Sequence, residues 1–598
     1  YRKQTKEVGE IKRNKSVAAV LLLCTVFGFT ACGTKEQTKN GVTTKKVDKQ
    51  AATDISNVHL RDKKSLYDKD HTKVTTMYLT VRRGDATENQ NHSWSEVNQY
   101  SVEDYQKMHV KRYQVAGLLQ VGNEDGPVSG ELGYDQDVPN ASVQIRGESS
   151  SKNAQKNYKI KIKKNKGEWN GQRTINLNKH QTEALRFRNK LSYDLMEEIP
   201  QLMGARTSFV HLYVKDETSD NPSGKFEDYG LYTQVEQINK NYLKDHGLDE
   251  NANLYKPNFY EFFRYEDTIV KEDDPKFDKD KFEKLLEIKG SHDHTKLIDF
   301  LTKLNDPSVK IETIMDKYVD PENIQYWMAF QMLLGNDDTQ SRNMYLYSPQ
   351  NSTKWYIIPW DNDSILMKNE RRLVSKDSDQ ANSWEVGVSN YWGNQLFQRL
   401  LKSKEFRKGL DEKMDELRKT ITGDKITSMS NEYAAVIKPY LAKMPDQMHA
   451  KTTPDNYDKI LADLPNELEN NYKIYKTSLE KPQPFFINKP EVANNKLKLS
   501  WGASYDFNNS KLTYTVELAK DYEFKDKVFE KSGLKTLSAE TDTLPKGQYF
   551  VRVTATNEAG QSQRAFDYYV NSDNSKQFGI MSFFVLEDGK IGVDGYED

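Results

Sequence analysis

Cysteine is nearly absent: the 598 residues contain two, Cys24 and Cys32, both close to the N-terminus. Every domain downstream therefore folds without a disulfide framework or a cysteine-rich metal site, which large domains tolerate because their cores hold without staples. Histidine is scarce as well, 10 in all, and none stands in the HExxH spacing of a zinc hydrolase. No GxSxG elbow, Walker sequence or classic glycine-rich phosphate loop occurs, and no internal repeat. Neither sign of charge dominates. The 87 basic residues face 89 acidic ones, a net charge of −2, so the basic excess of a nucleic-acid binder is missing and no nucleic-acid partner is expected. With 36% hydrophobic residues and 34 tyrosines, the chain still has the apolar mass for true cores. Its length predicts two or more domains.

One apolar run stands out, at residues 17–30, behind a start carrying Arg2, Lys3, Lys6, Lys12, Arg13 and Lys15. Charge, short apolar core and a small residue before the cut form the grammar of a signal peptide, and the run is short for a permanent membrane helix. Phe29-Thr30-Ala31-Cys32 resembles a lipobox, with Phe29 where an aliphatic is usual. The resemblance implies that Cys32 is acylated and becomes the mature N-terminus. A lipid membrane is then a partner, and the protein sits on the extracytoplasmic face of a bacterial cell membrane, anchored rather than spanning. An ordinary cleaved signal is the plainer alternative. Residues 1–32 are thus expected to be a lipoprotein signal peptide and 33–70, rich in Lys, Thr, Asp, Asn and Gln, a solvated tether.

From residue 71 the pattern changes. Runs of period two at 75–81, 141–145, 158–162, 209–214 and 230–235 predict strands, with a helix over 184–203. Beyond about 280 the pattern turns helical. Asp320-Pro321 supplies a cap and a first-turn proline to a helix carrying Tyr326, Trp327, Phe330 and Leu333. A strand pair at 343–347 and 354–359 interrupts the helices, which resume from 394 to about 478. Residues 71–480 therefore read as an α+β domain with a strand-rich half followed by a helix-rich half. After a linker at 481–484, Leu497, Leu499 and Trp501, then Tyr514, Val516 and Leu518, then Tyr549, Val551 and Val553 alternate inward. Such strands predict a β-sandwich, which resembles a fibronectin type III domain in its buried Trp501 and the segment 547–560. Its expected bounds are 481–572, and 573–598 is a tail without an assigned structure, in which Phe583-Phe584-Val585-Leu586 and an Asp588-Gly589 turn suggest a hairpin.

The chemistry concentrates in residues 335–343 and 358–363. Phosphoryl transfer needs oxygen ligands for a hard divalent metal and one carboxylate to position the attacking hydroxyl. Protein kinases take an Asp and an Asn five positions later from one loop, and a further metal-binding Asp after it. Asp338 and Asn343 have that spacing, a strand pair follows, and Asp361 ends it. A helix-closing role for Asp337 and Asp338, and an Asx turn at 361–363, is the bland alternative.

Three blocks resemble the CotH (spore coat protein H) kinase family over roughly 75–475. These are Arg146-Gly147-Glu148-Ser149-Ser150 with Lys156-Asn157-Tyr158-Lys159-Ile160; Gly230-Leu231-Tyr232 with Glu236; and 342–347 running on to Trp355 and Trp360-Asp361-Asn362-Asp363. The resemblance implies a diverged two-lobed protein-kinase-like domain ahead of the sandwich. It implies Asp338 as the catalytic carboxylate, Asp361 and Asn343 as metal ligands, and ATP with Mg2+ or Mn2+ as cofactors. The substrate would be Ser or Thr of a surface protein. The turn at Arg146, Ser149 and Ser150 can offer N–H, hydroxyl and cation to phosphates, while Arg146 in a structural ion pair is the alternative. Lys159 and Lys161 share one strand face, and the family block favours Lys159 as the phosphate-neutralising lysine. Glu236 pairs with that lysine, binds metal, or is a surface glutamate. Trp360 packs near the nucleotide or in the core. The competing reading of the whole chain is a non-catalytic surface adhesion or envelope-assembly protein on a pseudokinase scaffold.

Overall fold

The computed structural model describes residues 59–374, 383–572 and 575–593; the expected signal peptide, Cys32 and most of the tether lie outside them. Among the described residues no helix is long and apolar enough to cross a membrane.

The strand-rich half is a closed barrel. Its strands are β1 (Val74–Arg82), β2 (Val115–Asn123), β3 (Gly126–Pro127), β4 (Ala141–Arg146), β5 (Asn157–Ile162), β6 (Thr174–Asn178), β7 (Thr207–Asp216) and β8 (Glu227–Glu236). They run β1-β7-β8-β6-β5-β4-β2-β3, and β1 also pairs with β2, so the sheet meets itself and its long strands have no free edge. Period-two side chains fill the inside: Met77, Leu79 and Val81 of β1, Val143 and Ile145 of β4, Tyr158 and Ile160 of β5. The alternate residues Gln144, Arg146 and Lys159 point outward, and the register sets Gln144 beside Lys159 and Lys159 beside Asn176. That outward polar face turns toward the second half and forms one wall of the candidate site.

The second half has its own core, built around the helix Pro321–Leu333, which is buried from Asn323 to Leu333. Asp320 accepts from the Asn323 N–H at 3.0 Å and Pro321 fills the first turn, the capping that the sequence predicts. The helix stops at Gly335, whose φ of +65° suits glycine and whose missing Cβ leaves room for the Asn471 side chain. Beside it lies a four-stranded sheet, β10 (Leu286–Ile288), β9 (Asn253–Pro257), β11 (Met344–Ser348) and β12 (Tyr356–Pro359), in that order. The hairpin β11–β12 pairs Met344 with Pro359 and Tyr347 with Tyr356.

The C-terminal unit is a sandwich. One sheet runs β13 (Glu491–Ala493), β14 (Lys496–Ser500), β17 (Ser538–Asp542). The other runs β16 (Lys527–Leu534), β15 (Thr513–Ala519), β18 (Gly547–Thr556), β22 (Ile580–Val585), β23 (Ile591–Gly592). Trp501, Val516, Val551 and Phe583 fill the space between them, and the Tyr549 hydroxyl donates back to the Pro545 carbonyl at 3.0 Å. The expected boundary at 572 is too early. β22 pairs along β18 from Gly547–Val585 to Arg552–Ile580, so the presumed tail supplies an interior strand of the larger sheet. Three short strands complete the unit: β19 (Ser562–Arg564), β20 (Tyr568–Val570) and β21 (Lys576–Phe578), the last two paired with each other.

The sandwich is docked on the helical half. Trp384 Nε1 donates to the Phe566 carbonyl at 2.9 Å, Asn557 Nδ2 donates to the Glu480 carbonyl at 3.0 Å, and Trp392 packs against Tyr505 and Phe507.

The tether also ends earlier than its composition suggests. Leu60 joins the main core, and the buried Asp62 receives Tyr67 Oη at 2.5 Å, Lys64 Nζ at 2.9 Å and the His246 ring at 2.7 Å. A charged anchor, not an apolar stripe, fixes residues 59–70, which is why hydrophobic patterning passes over it. Burial alone would raise the Asp62 carboxyl, but His246, Lys64 and Tyr67 hold it at about 2. His246 sits above its ordinary 6.5: burial lowers it, and Asp62 and Glu236 more than compensate. A raised histidine stabilises the fold fully below pH 6.5 and loses that contribution as pH rises through the folded value. Replacing His246 with Ala is expected to lower stability by roughly 3–5 kcal/mol, as for one partner of a buried pair. Melting curves of parent and variant at pH 6 and pH 9 should differ most at pH 6.

Candidate active site

The helix break at Gly335 opens the loop that carries Asp338 and Asn343, and β12 returns the chain to the same place. The Trp360 N–H donates to the Asn343 carbonyl at 3.1 Å, which locks the end of the loop to the end of the hairpin. Asn343 and Asp361 both lie in the left-handed region, at φ 56° and 52°. Asn and Asp are among the few L-residues that enter it at modest cost, so both positions favour a short oxygen-bearing side chain. Asn362, fully buried between them and the core, accepts from Gln331 Nε2 at 2.8 Å and Asn336 Nδ2 at 3.2 Å. It anchors the turn and does not face the cleft.

Asp338 is held on two sides. One carboxylate oxygen takes both Nε (2.7 Å) and an NH2 of Arg342, and the other takes Asn343 Nδ2 at 3.0 Å. Arg342 is itself fixed by stacking on Phe259, 4.4 Å from the ring centre. The second oxygen of Asp338 keeps a lone pair for an incoming hydroxyl, and Asn343 keeps its Oδ1, since its amide nitrogen is the donor. Burial, then Asp337 and Asp361, push the Asp338 carboxyl up against the pull of Arg342. Asp363 is pushed well above the usual carboxylate range by removal from water and by Asp361, Glu183 and Asp338. Its side chain keeps 38% exposure, so the like charges account for the direction.

Opposite stands a group of cations. Arg146, on the outward face of β4, feels the charge of Asp361 directly and donates to Asn178 Oδ1. Lys159 is pulled down by burial and then by Lys289, Lys161, Arg146 and Arg112; its ammonium makes no hydrogen bond or ion pair among the described residues. Lys161, on the same face, is exposed, which leaves Lys159 as the lysine set among the other cations. The turn after Arg146 depends on Gly147, at φ +85°, where a Cβ would collide with Ser150 Oγ. Ser150 accepts from Asn157 Nδ2 at 3.0 Å, and Ser149 is exposed at the tip.

Glu236 does not join them. Its carboxylate is buried and committed to Arg206, with Nε at 3.0 Å, and to the His246 ring at 3.2 Å. The expectation that it pairs with Lys159 or a metal is therefore corrected to a structural role in the network that ends on Asp62. The neighbouring block is structural too. Gly230, at φ +74°, makes room for Asp446, which accepts from the Leu231 N–H at 2.9 Å and from Lys179 at 2.7 Å. Trp360 is buried edge-on to Tyr345.

Sequence reading passed over Asn178, His180 and Tyr193. The Tyr193 hydroxyl accepts from the Asp361 N–H at 3.1 Å. His180, 4.0 Å from Asp363, is buried and pushed down to about 3 by desolvation, Arg146 and Arg186, so it is neutral at any ordinary pH. Only the Asn178-Lys179-His180 cluster at a strand end could have drawn attention to it.

The residues fit a metal and a polyphosphate. Asp361 raises both Asp338 and Asp363, and Asn343 Oδ1 and the Asp361 carboxylate form no hydrogen bond among the described residues, a donor set that suits a hard divalent cation. Cations without a carboxylate to cancel them suit phosphates. Carboxylates and cations that feel one another, as Asp361 and Arg146 do, are the donor set a kinase-like site needs for a nucleotide and a divalent metal.

Comparison with known proteins narrows the class. The model of the CotH kinase protein family matches residues 143–475, more than half of the chain, and the chain belongs to that family. It is 25% identical over 292 residues to the inner spore coat protein H of Bacillus subtilis (strain 168), an alignment covering 48% of this chain and 73% of that protein. Among solved structures, the Helicobacter pylori proinflammatory kinase CtkA aligns with a TM-score of 0.26 at 11% identity, over 54% of this chain and 94% of that one. The twitchin kinase region of C. elegans aligns with a TM-score of 0.13 at 22% identity, over 19% and 20%.

The Asp361 carboxylate makes no hydrogen bond or ion pair among the described residues, and it raises both Asp338 and Asp363. Asp361→Asn is therefore expected to abolish metal-dependent nucleotide binding while the melting temperature stays level or rises slightly. Equilibrium binding of a fluorescent nucleotide with Mn2+, beside a melting curve, checks both; a large fall in melting temperature would mark the carboxylate as structural.

Proposed function

We propose that this protein is an exported, membrane-anchored atypical protein kinase that transfers the γ-phosphoryl group of ATP to Ser or Thr of surface or envelope proteins. The observation that carries the reading is the facing of like charges: Asp361 and Asp363, beside the Arg342-bound Asp338, on the hairpin side, and Arg146, Lys159 and Arg112 on the barrel side. In this reading Asp338, steadied by Arg342, accepts a hydrogen bond from the acceptor hydroxyl and orients it for attack. Arg146 and Lys159 hold the phosphates, and Asn343 and Asp361 hold Mg2+ or Mn2+. When bound, the metal neutralises charge on the transferring phosphoryl group. The lipobox-like run Phe29-Thr30-Ala31-Cys32 supports an acyl anchor on Cys32 and placement on the outer face of the membrane.

Incubation with labelled ATP and Mn2+ tests the reading. The parent is expected to label itself or an added acceptor protein. Asp338→Ala should reduce labelling by about 100-fold or more, within the range that a positioned general base contributes, and Asp361→Ala should abolish it. Labelling that survives in both variants would assign the activity to a contaminant and leave a binding scaffold.

A further inference from the structure

Two cavities lie between the helical half and the sandwich. The first, of about 510 Å3, opens on Asp337 and Asp338 and is closed on its far side by Tyr568, Lys576 and Phe578 of the sandwich. The second, of about 610 Å3, continues between the helix Pro454–Glu480 and the faces of β18 and β19. They share Lys368, Ser383, Val386 and Ile474, so they form one groove that starts at the catalytic carboxylate.

The charges along this groove are unequal. In its first part Asp337 is covered by Arg371, Asp338 by Arg342 and Glu385 by Lys576, and in each pair the cation is the more exposed partner. In its second part Glu517 is bound by Arg552 and Lys527. Glu467 is spent on the backbone N–H groups of Lys368 and Asn369, at 3.0 and 2.7 Å. Lys368, Lys473 and Lys481 form no side-chain hydrogen bond or ion pair among the described residues, and the wall carboxylates without a cation there are Asp463 and the buried Glu467. A groove that starts at the phosphate-accepting end of the site and presents spare ammonium groups along its length suits an extended acidic chain.

We infer that this groove seats the acceptor polypeptide, and that it selects a Ser- or Thr-bearing segment flanked by acidic residues. The sandwich is then the second wall of the acceptor site, not a spacer. The inference rests on the phosphotransfer reading for the identity of the occupant, but the groove and its charge stand apart from it.

The test uses the full chain without nucleotide and two fluorescein-labelled peptides of equal length, one with Ser among glutamates and one with Ser among lysines. Fluorescence anisotropy is expected to show at least about tenfold tighter binding of the glutamate peptide, weakening as salt is raised from 50 to 300 mM. Lys473→Glu/Lys481→Glu is expected to erase that preference with an unchanged melting temperature. Lys473→Gln/Lys481→Gln, a milder pair, is expected to reduce it if the reversal fails to fold. Equal affinity for the two peptides, or a preference that survives both pairs, overturns the inference. Failure of the kinase reading looks different: the glutamate peptide binds and the lysine variants lose it, yet labelled ATP never marks it. A chain that phosphorylates both peptides equally and binds them alike keeps the kinase and loses the groove.

Discussion

Like charges held close together, on both sides of one cleft, are the constraint on which this structure turns. Three carboxylates crowd the end of the β11–β12 hairpin and several cations crowd the outward face of β4 and β5. Arg342 pairs with Asp338, but Asp361 and Lys159 form no ion pair among the described residues, so like charge remains on each side and opposes its own crowding. The barrel supplies rigidity on one side: it has no free edge along its long strands, and its interior is filled by alternate residues of those strands that carry the cations outward. On the other side a helix buried from Asn323 to Leu333 ends at Gly335, and the loop that follows leads into the five-residue strand β11. The left-handed turns at Asn343 and Asp361 are the local strain this closure requires.

Other buried charges are arranged in the opposite way. Asp62, His246, Glu236 and Arg206 form an alternating chain, and Asp446 is enclosed by Lys179, Arg186 and the Leu231 N–H. Every carboxylate there has a cation at hydrogen-bond distance, and Lys179, pulled to about 8 mainly by burial, is held charged by Asp446. These satisfied networks tie distant parts of the chain together: Asp62 pins the N-terminal approach to the second half, and Asp446 pins the helix-rich half to the barrel. The contrast separates function from structure within one molecule, since satisfied charge clamps and unsatisfied charge awaits a ligand.

Much of this was legible from residue order. Period-two runs marked most of the barrel strands, Asp320-Pro321 marked the buried helix, and the spacing of Asp338, Asn343 and Asp361 marked the loop and hairpin that meet. What escaped has a common cause. Glu236 reads from sequence as a glutamate at a strand end beside a family block, and only the fold reveals that Arg206 and His246 reach it first. Residues 59–70 have the composition of a tether, yet one aspartate with three partners orders them. The hairpin of β22 and β23 is legible in the tail, but its membership of the sandwich is not, because its other neighbour, β18, is the central strand of a sheet whose order does not follow the chain. Long-range charge pairing and non-local strand order are properties of the folded chain, and a local pattern carries neither.

The docking of the sandwich follows from the same reasoning. A spacer domain would meet its neighbour through a short polar linker and little else. Here Trp384, Trp392, Phe507 and Phe566 are buried at the junction, Phe507, Phe566 and Phe578 belong to the main core, and Glu480, at the end of the long helix, is engaged by Asn557 and Gln561. Aromatic burial on this scale fixes the orientation of the two units. The groove beside Asp338 takes one wall from each of the two units so joined. In the proposed transfer Asp338 needs its acceptor held closely, and a second wall packed through buried aromatics meets that demand where a tethered module would not.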